Sequence, residues 1–346
     1  MPAVQLTGRG PGAAVSTEDR VLARAAVAAL GAPSILNTQP WNWRIGRATA
    51  ELRADRSRQV TSIDAAGRLL TISCGVALHY ARTALSSAGY DVDIAYLPDD
   101  ADPDLLATIR IPGAHATRAE AVRLFRAMAV RRSDRRPFDA RPVRDDSLER
   151  LRDAAEKCGA HLHLPRADEI VAITVAAGRA ATVELNDPRY HQDLRTWVGP
   201  KRRSGDGIPS DTSAPPAARP VPIRDFTATG PENASIFDHL ELGDSAARYA
   251  VLFTDGDEPH DWLAAGEALS AVLLTATADG LSSSMLSDLI EVESSRNILD
   301  NLLGHIGHPM VVVRVGYPAS SSQAAAAPRR TAYDVIDSAA MPTDGP

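Results

Sequence analysis

The sequence predicts an α+β fold of layered helices and sheets. Three observations lead there. Apolar positions recur at helical spacing over stretches long enough for buried helices, and short alternating runs mark strands between them. The third is capacity: 346 residues with 44% hydrophobic content exceed one small domain and suffice for two cores or one fused core.

The elements follow in order. Ser16 or Thr17 ahead of Glu18 and Asp19 reads as a helix start, with Val21, Leu22, Ala25, Ala26, Ala29 and Leu30 continuing the period to Gly31. Residues 41–45 and 50–53 alternate as a hairpin, and residues 66–88 form a long apolar helix closed by Gly89. Strands are expected at 90–96 and 106–111, and helices at 118–130 and 147–157. Toward the end come a strand at 249–253, a buried helix at 262–278 and a buried strand at 310–315. Residues 199–231 break the pattern. Repeated Pro and Gly, the cluster Lys201, Arg202, Arg203 and the lack of apolar period leave two readings, a lid or a plain surface linker.

Composition narrows the function classes. Lys plus Arg total 37 against 44 Asp plus Glu, and a net charge of -7 speaks against general nucleic-acid binding. No apolar signal region follows a basic start, and polar residues interrupt every apolar stretch, so a cytoplasmic protein without a membrane span is expected. Cys74 and Cys158 have no spacing partner for zinc or a redox pair and read as packing residues. His161 with His163, and His305 with His308, lack a Glu or Cys companion at ligand spacing, so no metal is expected. A hydrolase would need a G-x-S-x-G elbow, which the chain does not contain.

Two segments carry chemistry. The octet from Arg131 to Phe138 (R-R-S-D-R-R-P-F) packs four guanidinium groups and the Ser133 hydroxyl into one turn-like stretch after a helix. Guanidinium forks suit phosphate oxygens; the alternative is a solvated basic turn pairing with Asp145 and Asp146. The stretch from Ala32 to Trp41 (A-P-S-I-L-N-T-Q-P-W) fixes φ at two prolines, while Ser34, Asn37 and Gln39 present groups suited to a polar ligand; the alternative is a capped loop.

Together these residues resemble the nitroreductase-like FMN proteins, in which A-P-S-x-x-N-x-Q-P-W and R-R-S-x-R are hallmarks. The order of the pieces is unusual. Family subunits run from R-R-S-x-R through a helix to A-P-S-x-x-N-x-Q-P-W; here the second segment lies in the first part of the chain and R-R-S-D-R in the second. Thr7 to Pro11 offer no copy of the arginine motif, and Cys158 to His161 stand where A-P-S would recur. Such a split is similar to the Acg-type group of mycobacterial and actinobacterial nitroreductase-like proteins.

The resemblance implies a nitroreductase-like fold of two fused repeats, residues 1–115 and 116–346, forming a pseudo-dimer with one complete FMN site and a monomeric chain. It puts Arg131, Arg132, Ser133 and Arg135, with Arg329 and Arg330, at the phosphate. Pro33, Ser34, Asn37 and Gln39 fall along the ring and ribityl chain, and Ser284, Met285, Leu286 and Ser287 where backbone amides approach flavin N5. The cation usual near flavin N1 and O2 falls to Arg195 or Lys201. The activity implied is electron transfer from NADH or NADPH to a nitroaromatic, quinone or similar acceptor. The alternatives are a flavin-binding or storage protein with little reductase activity, and a structural partner protein that binds no flavin.

Overall fold

In the computed structural model, which describes residues 16–199, 205–209, 219–224, 226 and 244–338, the chain opens on a capped helix. Ser16 Oγ accepts from the Asp19 amide at 3.0 Å and the Asp19 carboxylate accepts from the Ser16 amide at 3.3 Å, satisfying donors that the start of α1 (Thr17–Ala29) would otherwise leave orphaned. Asp19 also accepts from Ala48 N at 2.9 Å. That contact seats α1 on the turn of Arg47 and Ala48, both at φ 57°, which joins β1 (Trp41–Gly46) to β2 (Thr49–Ala54). The hairpin leads to α2 (Arg68–Ser87), β3 (Asp93–Tyr96) and β4 (Leu105–Arg110).

A second series begins with α3 (Ala119–Val130), α4 (Asp145–Glu156) and β5 (His161–His163), followed by α5 (Ile170–Leu185), α6 (Pro188–Trp197), β6 (Val198–Gly199) and β7 (Ile208–Pro209). Then come β8 (Arg248–Thr254), α7 (Pro259–Ala278), β9 (Ser282–Leu286), α8 (Asp288–Glu291), α9 (Glu293–Leu302) and β10 (His308–Gly316). The described chain closes with α10 (Ala332–Val335) and β11 (Ile336–Ser338).

Two principal sheets result. One has the order β11-β1-β2-β4-β3, the other β5-β8-β10-β9. Every neighbour is antiparallel except β1 with β11. With β11 set aside, both sheets run first, second, fourth, third in chain order. Each is preceded by one helix (α1, α4) and has a long helix between its second and third strands (α2, α7). The main core draws on both series, from Leu22 and Trp43 to Leu274 and Val313, and a second core lies between β8, β9, β10 and the helices α5, α8 and α9.

The two long helices set the spacing of everything else. Each has twenty residues with glycine at its eighth position, Gly75 and Gly266. A Cβ on Gly75 would lie 2.3 Å from Leu263 O, and one on Gly266 would lie 2.1 Å from Ile72 O. The obstacle is backbone in both cases, so it cannot rotate aside. His79 and Ser270, one turn further along each helix, meet at 2.8 Å with both side chains buried.

The expected helices and strands that the sequence marks all occur, shifted by a few residues at most, with residues 90–92 contributing a single bridge at Tyr90 rather than strand. Helices α5, α6, α8 and α9 and the strands β9 and β11 were not marked. Late in the chain, β11 joins the first sheet by pairing in parallel with β1. Among the described residues, no helix is long and apolar enough to cross a membrane.

Gly75→Ala or Gly266→Ala forces the central helices apart and is expected to lower unfolding stability by about 1–3 kcal/mol, measured by urea titration. A second expectation concerns acid. Burial, and then the Arg82 charge, push the His79 imidazole down to about 3, so the native state holds it neutral while the unfolded chain protonates near 6.5. Its contribution is complete above pH 6.5 and declines as pH falls toward 3, by about 2 kcal/mol between pH 6.5 and 5. Urea midpoints at the two pH values should differ more in the wild type than in His79→Gln.

Candidate functional site

The segment between α1 and β1 is bent in a way that ordinary side chains resist. Leu36, Asn37 and Gln39 take φ of 42°, 53° and 50°, left-handed values that cost roughly 1–2 kcal/mol per non-glycine residue and least for Asn. Hydrogen bonds hold the shape. Ser34 Oγ accepts from Gln39 N at 2.9 Å, and Ile35 N donates to Ser73 Oγ on α2 at 3.1 Å. Asn37 Nδ2 donates to Gly207 O and Pro328 O at 2.9 and 3.0 Å, and its Oδ1 accepts from Arg329 Nη1 at 2.9 Å. Gln39 Nε2 donates to Gly205 O at 2.9 Å, while its Oε1 accepts from Arg330 N at 2.9 Å. The loop is therefore the knot that ties residues 205–207 and 328–330 together.

Facing it, α3 ends at Val130 and the arginine segment runs along the open edge of the second sheet, where Ser133 bridges Ser283 and Asp134 N donates to Ser283 O at 2.8 Å. The two segments bound a cavity of about 710 Å³. Its apolar wall includes Leu69, Ile72 and Val76 from α2, Leu269 from α7, Met285 from β9 and Val311 from β10.

Among the described residues, six arginines line the cavity and no carboxylate does. Arg131 donates through Nε to Tyr80 OH at 3.0 Å. Arg132 donates to the carbonyls of Ala129 and Arg131 and keeps a buried Nε with no hydrogen-bond partner among the described residues. Arg329 donates to Asn37 Oδ1, Pro328 O and Gly31 O. Burial and the neighbouring charges of Arg131 and Arg132 pull Arg329 down to about 10. Arg135 is stacked 4.5 Å over the Phe226 ring. It too is pulled to about 10, by burial and by Arg224, Arg314 and Arg131. Among the described residues, Arg131, Arg132, Arg135 and Arg329 make no ion pair; Arg136 turns away to Asp134 at 2.8 Å, and Asp146 pairs with Arg144 and Arg150 instead. Such crowding of uncompensated cations is stabilised by an anion.

Ten of the residues singled out in sequence line this cavity: Pro33, Ser34, Asn37, Arg131, Arg132, Ser133, Arg135, Met285, Ser287 and Arg329. Four do not. Gln39 is fully buried in the knot, and Arg330 is bolted to the carbonyls of Gln39, Trp41 and Asp334. Strand alternation sends Met285 into the cavity and Ser284 and Leu286 to the opposite face, Leu286 into the second core. Arg195 is exposed on α6 and off the cavity, and Lys201, Arg202 and Arg203 lie outside the described residues. Sequence reasoning missed the α2 wall, although Leu69, Ile72, Ser73 and Val76 keep the i, i+3, i+4, i+7 spacing of one helix face. It also missed Arg224 and Phe226, for which no local signal exists.

The described pieces of residues 199–231 are fastened. Asp206 is buried and paired with Arg58; Arg219 meets Asp244 at 3.4 Å; Arg224 pairs with Glu184 at 2.6 Å and with Glu291. These pieces form cavity wall, with Ile208, Pro209, Arg224 and Phe226 on its lining.

The model of the nitroreductase family matches residues 128–317. Similar relatives come from Mycobacterium tuberculosis: an uncharacterised protein 34% identical over 94% of this chain and 95% of its own length, and two named "Putative NAD(P)H nitroreductase". One of these is 35% identical over 95% of both chains; the other, acg, is 32% identical over 94% of this chain and 97% of its own. Among solved structures, an FMN- and NADPH-dependent nitroreductase, NfnB, from a Sphigopyxis strain has 18% identity and a TM-score of 0.40, covering 62% of this chain and 97% of that one. A nitroreductase with bound FMN from Bacteroides fragilis has 13% identity and a TM-score of 0.38, covering 57% and 90%.

Asn37→Ala removes three hydrogen bonds from a buried, strained loop and is expected to lower stability by about 2–4 kcal/mol, read by chemical denaturation. Arg330→Ala, which frees three carbonyls but touches no cavity surface, should lower stability while leaving the cavity's affinity for anions within about twofold.

Proposed function

The chain belongs to the nitroreductase family, and from that premise we propose that it holds one FMN in this cavity and serves as an NAD(P)H-dependent oxidoreductase for a nitroaromatic, quinone or similar acceptor. The observation that carries the reading is the pairing of four arginines that meet no carboxylate among the described residues with an apolar wall drawn from both long helices. The fit is chemical. A phosphate answers the unpartnered Arg132 Nε and relieves the mutual repulsion of Arg131, Arg132 and Arg329, while a planar ring suits Ile72, Val76, Leu269, Met285 and Val311. Arg135 adds a fourth guanidinium to the anion site, as the resemblance implied. When bound, FMN supplies hydride and electron chemistry that no side chain of the cavity offers. The protein's part is to bind, orient and exclude water.

In this reading residues 1–115 and 116–346 are fused repeats and the chain is a monomer, since each half already covers the face a partner subunit would occupy. A second reading, flavin storage with little turnover, draws support from the cavity wall itself. Phe226 lies against Arg135 on a segment fastened through Arg219 and Arg224, which restricts approach from that side.

The visible spectrum of the purified protein and release of FMN on denaturation test the cofactor. Arg132→Ala, whose guanidinium donates to the carbonyls of Ala129 and Arg131, should weaken FMN binding about ten- to hundred-fold, equivalent to about 1.5–3 kcal/mol, with little change in melting temperature. Steady oxidation of NADH or NADPH with an added quinone supports the reductase; FMN retained through that assay without turnover supports storage. A colourless protein with no measurable FMN affinity refutes both.

A further inference from the structure

The two series relate to each other by a constant offset along their long helices. Gly75 and Gly266 differ by 191 in number, as do Ile72 and Leu263, whose carbonyls close on the opposite glycine, and His79 and Ser270, which share a hydrogen bond. Reciprocal contacts between matching residues are the mark of a two-fold interface. The α2 face that lines the cavity therefore has a counterpart on α7: Leu69, Ile72, Ser73 and Val76 match His260, Leu263, Ala264 and Glu267. By the same relation β3 matches β9, which supplies Met285 to the cavity, and the turn after α4 matches the turn after α1, which supplies Gly31.

That counterpart position is filled. Glu267, only 3% exposed, accepts a hydrogen bond from Tyr96 OH at 2.7 Å and pairs with Arg82 at 3.1 Å. Arg82 reaches on to Cys158 Sγ at 3.5 Å, and the His260 ring meets the edge of the Tyr96 ring with centroids 5.8 Å apart. Tyr96 is the last residue of β3, and Cys158 sits in the turn after α4. Each contributor thus comes from an element whose match lines the cavity.

We propose that the Tyr96–Glu267–Arg82 cluster occupies the second ligand position of the fused fold. The chain's own phenol and ion pair stand where a ligand would, and they clasp the two halves together. Tyr96 and Arg82 belong to the first series, Glu267 and Cys158 to the second, so the contacts bridge the halves as a bound ligand bridges them on the other side. The chain then loads at one position only and stays assembled when that position is empty. This inference rests on the FMN reading for its stoichiometry, but not for the clasp.

The test uses full-length protein, Tyr96→Phe and Glu267→Gln. Calorimetric titration of FMN into the FMN-free wild type is expected to give one site per chain. Both variants should melt about 2–6 °C lower, by the same amount with and without FMN, and keep FMN affinity within twofold. Two FMN per wild-type chain, a fivefold or greater loss of affinity in either variant, or melting temperatures equal to the wild type would each overturn the proposal. A wild type that binds no FMN refutes the function proposed above, and the melting of the FMN-free variants still decides the clasp.

Discussion

The close crossing of α2 and α7 is the constraint from which the rest follows. Helices that meet at Gly75 and Gly266 bring backbone against backbone, so the sheets flanking them are held at a fixed separation. The cavity is what remains between the elements that this spacing cannot bring into contact. Its floor is the outer flank of the same two helices, Leu69 to Val76 on one and Leu269 on the other. Neither half alone could enclose it, because the arginine segment follows α3 while the strained loop follows α1.

Around that space the polar groups are arranged to leave positive charge unanswered. Neutral partners position the guanidinium groups of Arg131, Arg132 and Arg329: a phenol, an amide oxygen and main-chain carbonyls. Carboxylates are plentiful in the chain, yet they are spent elsewhere, Asp134 on Arg136, Asp244 on Arg314 and Arg219, Glu184 and Glu291 on Arg224. Neutral acceptors fix the direction of a cation without cancelling its charge. A site built this way tolerates some loss of intrinsic stability in exchange for a strong field at the anion.

How much of this was legible in the sequence depended on whether the cause was local. The capping pair Ser16 and Asp19, the alternation of Trp41, Trp43 and Ile45, and the apolar period of α2 and α7 act within a few residues, so their elements could be read directly. Helix α5 is apolar on nearly every face and gave no period, and β9 is short and rich in serine. Asn37 and Gln39 were legible as important residues but not in their task, since their partners lie 166–292 positions away. The resemblance put Arg330 with Arg329 at the phosphate, but its guanidinium donates to the carbonyls of Gln39, Trp41 and Asp334 and does not line the cavity. Residue type was readable; direction was not.

A scaffold with matching halves need not have matching chemistry, and the difference here comes down to what each half lacks. The wall residue Val76 leaves room beside the arginines, while its match, Glu267, brings a buried charge that must find partners or cost several kcal/mol. Burial alone would drive its carboxyl toward the neutral form, and the Arg82 charge and the Tyr96 hydroxyl oppose that drive. Tyr96 and Arg82 supply them from the first series, and the Tyr96 phenol and Arg82 guanidinium occupy the position beside Glu267. On the other side the missing carboxylate has the reverse effect: among the described residues Arg131, Arg132 and Arg329 meet neutral acceptors and keep their charge. Where the acidic groups fall thus adds to the absence of a second arginine segment and a second strained loop in setting the Glu267 position apart from the arginine-lined cavity.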